Sequence, residues 1–308
     1  MLLPFSSLVL WTICNPVIEG GDNAVEGSTV SAPVDLTDRV HDQCVFETRM
    51  AARLRTAGRN ERPRLYNEVY DDYLQQFPES LPADKADAER IVQYETSFLR
   101  RFLTPSTVMV EIGPGRCHLA FALAPLVGRI YGVDVAPGGA GTPADPPNFE
   151  LRPTDGIHMP FDSNSIDLVI SNQLMEHLHP DDAVEQLRET YRVLRHGGSY
   201  ICVTPSRVNG PHDCSAYFDD LPCPIRARDY HATGLHLKEY TTRELLACFK
   251  EVGFRRVQTW IGARGRYLAP PSWVISSTEG VLRLIPPDLR KRSSLLGAFL
   301  GNRMCATK

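Results

Sequence analysis

Between residues 35 and 103 apolar positions recur at helical spacing and no strand-like alternation interrupts them. The last helix predicted there carries Ile91, Tyr94, Phe98, Leu99 and Phe102 on one face. Asp87, Glu89, Arg90 and Arg100 lie on the other, so one side rests on a core. Pro105 closes this region. Beyond it, short β-branched runs alternate with helical stretches, the pattern of a parallel sheet covered on both faces. The strands predicted are 107–112, 129–133, 149–152, 167–171 and 199–204, with a further one at 256–261 and a last one at 303–307. A helix is predicted at 182–195, capped by Asp181, with Val184, Leu187, Tyr191 and Leu194 as its inner face and Gly197 and Gly198 as its stop.

The fold class that follows is α/β: a mostly parallel sheet with an antiparallel last strand, preceded by a helical N-terminal region. Three parts are expected: a flexible or apolar extension at 1–34, the helical region at 35–104, and a sheet domain at 105–308. An insertion at about 263–302 separates the last two strands. It contains Pro270, Pro271, Pro286 and Pro287 with Arg283, Arg290, Lys291 and Arg292, and long insertions of this kind often act as lids or docking surfaces. The apolar stretch 1–14 lacks a basic leader and is shorter than the roughly 20 apolar residues needed to cross a bilayer, so no stable membrane insertion is expected.

Composition narrows the function. The chain has 308 residues, 43% hydrophobic, enough for one large or two modest domains. The formal net charge of -4 provides no basic field for a phosphate backbone, so nucleic acid is not the expected partner. Eight cysteines lie far apart without a C-x-x-C pair, which suits reduced thiols in a cytoplasmic protein and supplies no metal site.

The chemistry begins at Val110-Glu111-Ile112-Gly113-Pro114-Gly115-Arg116-Cys117-His118, a predicted strand running into a glycine turn and then a helix. Glycine is needed where a side chain would strike a ligand lying across the strand ends, and a helix start offers unpaired N–H groups. The next strand ends in Asp134, 19 residues after Gly115, where an acceptor for a ribose diol belongs. His118 holds the third glycine position of the dinucleotide fingerprint, which weakens a nicotinamide reading. Glu111 would repel a pyrophosphate and suits the cationic amino group of a methionine moiety.

On these residues the chain resembles the class I S-adenosylmethionine (SAM)-dependent methyltransferases, especially the type 11 branch similar to the ubiquinone and menaquinone methyltransferases. The likeness runs over about residues 85–261. It implies that Glu111, Gly113 and Gly115 hold the methionine part of SAM and Asp134 the ribose. Asp155 would lie near the adenine amino group, with Gly156 and Ile157 flanking the ring and Asn172 completing the cofactor set. The runs Ser165-Ile166-Asp167-Leu168-Val169-Ile170-Ser171-Asn172, Glu176-His177-Leu178 and Arg192-Val193-Leu194-Arg195-His196-Gly197-Gly198 fit the same family.

The expected activity is methyl transfer from SAM to a small-molecule or glycan acceptor seated above 172–179. His177 is the candidate general base, with His212 and Asp213 as rivals. Tyr217, Phe218, Tyr230 and Tyr240 either face a sugar or pack loops. Ser171-Asn172-Gln173-Leu174 differs from the Asn-Pro-Pro-Tyr end that amino-group methylases of nucleic acids show. A catalytically idle SAM-fold module acting through a partner protein is the alternative, and a nicotinamide oxidoreductase is the third reading.

Overall fold

The structure is a computed structural model that describes residues 34–77, 85–136, 145–208, 210–213, 234–263, 266–285 and 301–308. The expectations for residues 1–33, Tyr217, Phe218, Tyr230, Pro286, Pro287, Arg290, Lys291 and Arg292 lie outside these. Three helices come first: α1 (Val34–Thr56), α2 (Arg62–Gln76) and α3 (Lys85–Leu99). The sheet unit follows as β1 (Val108–Ile112), α4 (His118–Leu123), β2 (Arg129–Asp134), β3 (Phe149–Pro153), β4 (Ile166–Asn172), α5 (Pro180–Val193), β5 (Leu194–Pro205) and α6 (Thr242–Val252). It ends with β6 (Arg256–Ala263), β7 (Arg266–Leu268), α7 (Ser272–Leu282) and β8 (Gly301–Thr307).

The eight strands lie in the order β3-β2-β1-β4-β5-β8-β6-β7. β1 to β5 pair in parallel, and β8 enters between β5 and β6, antiparallel to both. This is a Rossmann-like α/β sheet, mostly parallel, with the antiparallel last strand that the sequence predicts. Alternation along the strands divides the interior into two layers. Val110 and Ile112 of β1 join Val133, Tyr200 and Met304 beneath α1, α2, α5 and α6. Met109 joins Ile130, Leu168, Ile201 and Cys305 beneath α3 and α4, where Phe98 is fully buried. Cys117, Cys202, Cys248 and Cys305 are free thiols. Among the described residues no helix is long and apolar enough to cross a membrane.

Two local expectations are corrected. α5 starts two residues early: His179, not Asp181, is its N-cap, accepting the Asp181 N–H on its side chain, and Pro180 takes the first helical position. Its buried face is Asp182, Ala183, Gln186, Leu187, Thr190 and Val193, rotated from the predicted Val184-Leu187-Tyr191-Leu194 stripe. The cause is tertiary, because Asp182 and Gln186 have polar partners inside the protein. The helix also stops before the glycines, as Leu194 is already extended and begins β5. Gly198 is needed instead for a close approach of backbones, since a Cβ there would lie 2.9 Å from the Arg195 carbonyl oxygen and 3.0 Å from that of Asp167.

The described part of the 263–302 insertion packs onto the body of the protein. Tyr267 of β7 sits against Tyr94 and Phe98 with the Arg101 guanidinium over its ring. Buried Glu279 of α7 accepts from the Thr242 N–H, the Thr242 hydroxyl and the Ser206 hydroxyl. α6 is set by a full capping box between Thr241 and Glu244. Thr241→Ala is expected to lower stability by about 1 kcal/mol in chemical denaturation, whereas Thr241→Ser retains most of it.

Candidate functional site

β1 ends at Ile112 and the chain turns at once. Gly113 and Gly115 both adopt left-handed backbone angles, φ 66° and 55°, which glycine reaches without a Cβ penalty. The Gly113 N–H is held by the Val133 carbonyl of the neighbouring strand at 2.8 Å. α4, which follows, has only six residues, and Cys117 caps it without a side-chain bond. The backbone geometry of the turn, more than a long helix dipole, therefore shapes this corner.

Asp134 closes β2 and is buried, with one carboxylate oxygen accepting from Gly115 N–H and the other from Ala136 N–H, both at 3.2 Å. The acid and the glycine turn, 19 residues apart in the chain, are thus in direct contact. Glu111 is buried below the turn with Oε2 lacking any partner. Desolvation pushes its carboxyl up to about 8, against the opposing hydrogen bond from the Ala120 N–H.

The third element of the motif set is a loop. Asp155 accepts the Ile157 and His158 N–H groups on Oδ1 and meets His158 Nδ1 through Oδ2 at 2.7 Å. Partial burial would raise its carboxyl, but the bonds from His158 and Ile157 outweigh that and hold it below the usual range. Gly156 has φ 88°, and its carbonyl accepts from Gln186 Nε2 of α5 at 2.8 Å.

A narrow cleft collects the parts: Gly113, Asp134, Gly156 and His177 all line it. Gly115 reaches it through Asp134, whereas Glu111 is not among its lining residues and bonds the Ala120 N–H of α4. Asp155 is occupied with its own loop, and Asn172 sits half-buried where β4 ends, paired with Val203. Three further lining residues have no signal in the sequence pattern: Tyr66 and Tyr70 of α2, and Gln186 of α5. Nothing local marks them. Tyr66 comes to the cleft because its hydroxyl bonds Asp182 and the His179 N–H, at 3.0 and 2.8 Å.

His177 ends a short 3-10 turn, Met175–His177, and is fully buried. Its Nδ1 bonds the Leu235 carbonyl at 3.0 Å, while Nε2 has no partner. Bonding to a carbonyl fixes the proton on Nδ1, leaving Nε2 as an acceptor. Burial holds the imidazole well below its ordinary pKa, with His236 adding to the effect, so the ring is neutral at pH 7. The rivals have structural roles. His212 bonds Glu239 through its N–H and meets it again through Nδ1, and Asp213 accepts the Gly234 N–H at 2.6 Å. Tyr240 is core, 1% exposed.

Against known proteins, residues 110–202 match the family model described as a methyltransferase domain, Methyltransf_11. A probable S-adenosylmethionine-dependent methyltransferase of Mycolicibacterium smegmatis is 27% identical over 147 residues, 47% of this chain and 51% of that protein. The demethylmenaquinone methyltransferase of Listeria monocytogenes is 32% identical over 131 residues, 38% of this chain and 53% of that protein. The chain thus spans about half the length of the curated relatives it matches. The crystal structure of a SAM-dependent methyltransferase from Archaeoglobus fulgidus covers 70% of this chain and 94% of its own, at 19% identity and a TM-score of 0.45.

Proposed function

We propose that this chain is a SAM-dependent methyltransferase acting on a small-molecule or glycan acceptor, with the methyltransferase match over 110–202 as the premise. SAM is the cofactor. The observation that carries the reading is the contact between the Asp134 carboxylate and the Gly115 N–H, which joins the two cofactor motifs at one cleft. The residues fit the group: Gly113 and Gly115 turn the chain with left-handed angles and bring no side chain toward the methionine part, and buried Glu111 has an orphaned oxygen for its ammonium. Asp134 would hold the ribose, Asp155, Gly156 and Ile157 the adenine end, and Asn172 the cofactor edge nearest β5. The demethylmenaquinone methyltransferase match supports a place near the quinone-modifying branch.

When bound, SAM supplies a methyl group on a sulfonium, ready for in-line displacement. The protein's own part is to align the acceptor, exclude water and take a proton. α2 closes the cleft with Tyr66 and Tyr70, which suits a compact acceptor better than a polymer, and the net charge of -4 adds nothing toward nucleic acid. His177 would be the base for an acidic acceptor proton: its neutral ring lines the cleft, and its Nε2 has no hydrogen-bond partner.

Calorimetric titration with SAM, S-adenosylhomocysteine and NAD tests this. Micromolar binding of the two sulfur ligands is expected, with none for NAD. Asp134→Ala is expected to weaken both at least about 100-fold, because several charge-assisted bonds of roughly 1.5–3 kcal/mol each are lost. Absence of heat with both sulfur ligands would overturn the reading. Transfer of label from methyl-labelled SAM to metabolite and glycan acceptors then separates an enzyme from an idle binding module, and His177→Gln is expected to reduce that turnover with little change in SAM affinity.

A further inference from the structure

A second chemical feature lies at the floor of the cleft, built from residues far apart in the chain. Glu176, His177 and His236 are essentially without solvent exposure, and each offers a ligand atom such that all three atoms lie within 4.8 Å of one another. Glu176 Oε1 and His177 Nε2 face each other at 4.0 Å, and neither has a hydrogen-bond partner. Two orphaned acceptors in a dry interior are costly, about 1–3 kcal/mol each, and require an explanation.

The groups around them are those that orient metal ligands. His177 is fixed from behind by the Leu235 carbonyl on Nδ1, and His236 by the Glu239 carboxylate on Nδ1 at 2.8 Å. The second oxygen of Glu176 accepts the Thr204 hydroxyl at 2.8 Å. Arg55 of α1 braces the loop by donating to the His236 carbonyl at 3.0 Å. A histidine whose far nitrogen is tied to a carbonyl or carboxylate presents its near nitrogen in a set tautomer and orientation, as ligating histidines almost always do.

We propose that Glu176, His177 and His236 form a binding site for one divalent transition metal ion, zinc being the best match to two imidazoles and one carboxylate. This departs from the expectation, drawn from scattered cysteines, that the chain supplies no metal site. Closure onto an ion with bonds of about 2.0–2.2 Å requires the three donors to draw together by rotations of their side chains. Magnesium and calcium, which prefer all-oxygen shells, fit the donor set poorly. A three-ligand site leaves a position open, and His177 lines the cleft, so the open position would face the acceptor. That last point rests on the functional reading above, and an ion bound there would occupy His177 Nε2 and so displace it as base; the site itself does not depend on that reading.

The competing account is a metal-free ion pair, with a protonated His236 held between Glu239 and Glu176. Metal analysis of the full chain, stripped with a chelator and titrated with zinc chloride or cobalt chloride, decides between them. The expected result is one zinc per chain, visible absorption bands on cobalt addition, and a higher melting temperature with zinc than with chelator. Affinity should fall at least about 100-fold in Glu176→Gln and His236→Gln, and be unchanged in His196→Gln, whose imidazole is exposed in β5 between the paired residues Leu194 and Ser199. A stripped wild-type chain that takes up no zinc, or takes up magnesium in preference, overturns the proposal without recourse to the variants. SAM titration of the same samples keeps the two claims apart, since zinc uptake without SAM binding would sink only the methyltransferase reading.

Discussion

Replacing Arg62 with alanine is expected to destabilise the protein by about 3–5 kcal/mol and to lower its melting temperature by roughly 10 °C. Arg62 Nε and the terminal nitrogen of its fork meet the two Asp182 oxygens at 2.6 Å each, with both side chains buried, and its other nitrogen binds the Ala57 carbonyl. Tyr66 adds a third bond to the same carboxylate. Loss of the cation leaves Asp182 buried and unpaired in the first turn of α5, which is why the cost exceeds the net worth of the pair. Arg62→Met combined with Asp182→Leu is expected to recover most of the loss, because both charges then leave together. Calorimetric melts of the wild type and the two variants check this, and an Arg62→Ala cost below about 1 kcal/mol would contradict it. SAM affinity should fall in Arg62→Ala as well, since α2 brings Tyr66 and Tyr70 to the cleft.

The second large effect is expected at Glu111, where stability and binding move in opposite directions. Burial raises this carboxyl from its ordinary 4.5 to about 8 in the folded chain. The folded state therefore holds a proton that the unfolded state releases, and the contribution of Glu111 to stability is complete below pH 4.5. It declines as pH rises, levelling off above about pH 8. Glu111→Gln removes this dependence. The difference in unfolding free energy, variant minus wild type, should grow by a few kcal/mol between pH 4.5 and 8, making the variant the more stable protein at pH 8. The same variant should bind SAM at least about tenfold more weakly, as the ammonium loses its carboxylate. Affinity for 5′-methylthioadenosine, which lacks the amino-acid end, should be unchanged. Equal losses for both ligands would show that Glu111 shapes the turn instead of recognising the methionine part.

Much of the sheet is legible in the sequence because strand and turn signals are local. The β-branched runs place β1 to β6 and β8 to within a few residues, with only β5 beginning markedly earlier than the pattern predicts, and the glycine turn follows from Gly113 and Gly115. The parallel pairing of β1 with β2 and of β4 with β5 follows from the helices between them, α4 and α5. What no local pattern reveals is the wedge of β8 between β5 and β6, since the pairing of residues 199–205 with 301–307 joins segments that share no such signal.

The site divides along the same line. Glu111, Gly113, Gly115 and Asp134 stand close in sequence to the strand ends that define them, so spacing alone exposes them. In α5, polarity alone assigns Asp182 and Gln186 to the outer face, yet each is buried against a distant partner, Arg62 or Gly156. The cluster of Glu176, His177 and His236 is equally hidden: His236 comes from a segment remote from the other two, and the three gain their chemistry only from enclosure. By itself the sequence determined the succession of helices and strands and the glycine turn at the end of β1, since these depend on backbone preference and side-chain period within a few residues. Only the tertiary structure decided which polar groups lose water together, and that desolvation sets the charge of Glu111, the neutrality of His177 and the donor set at the floor of the cleft.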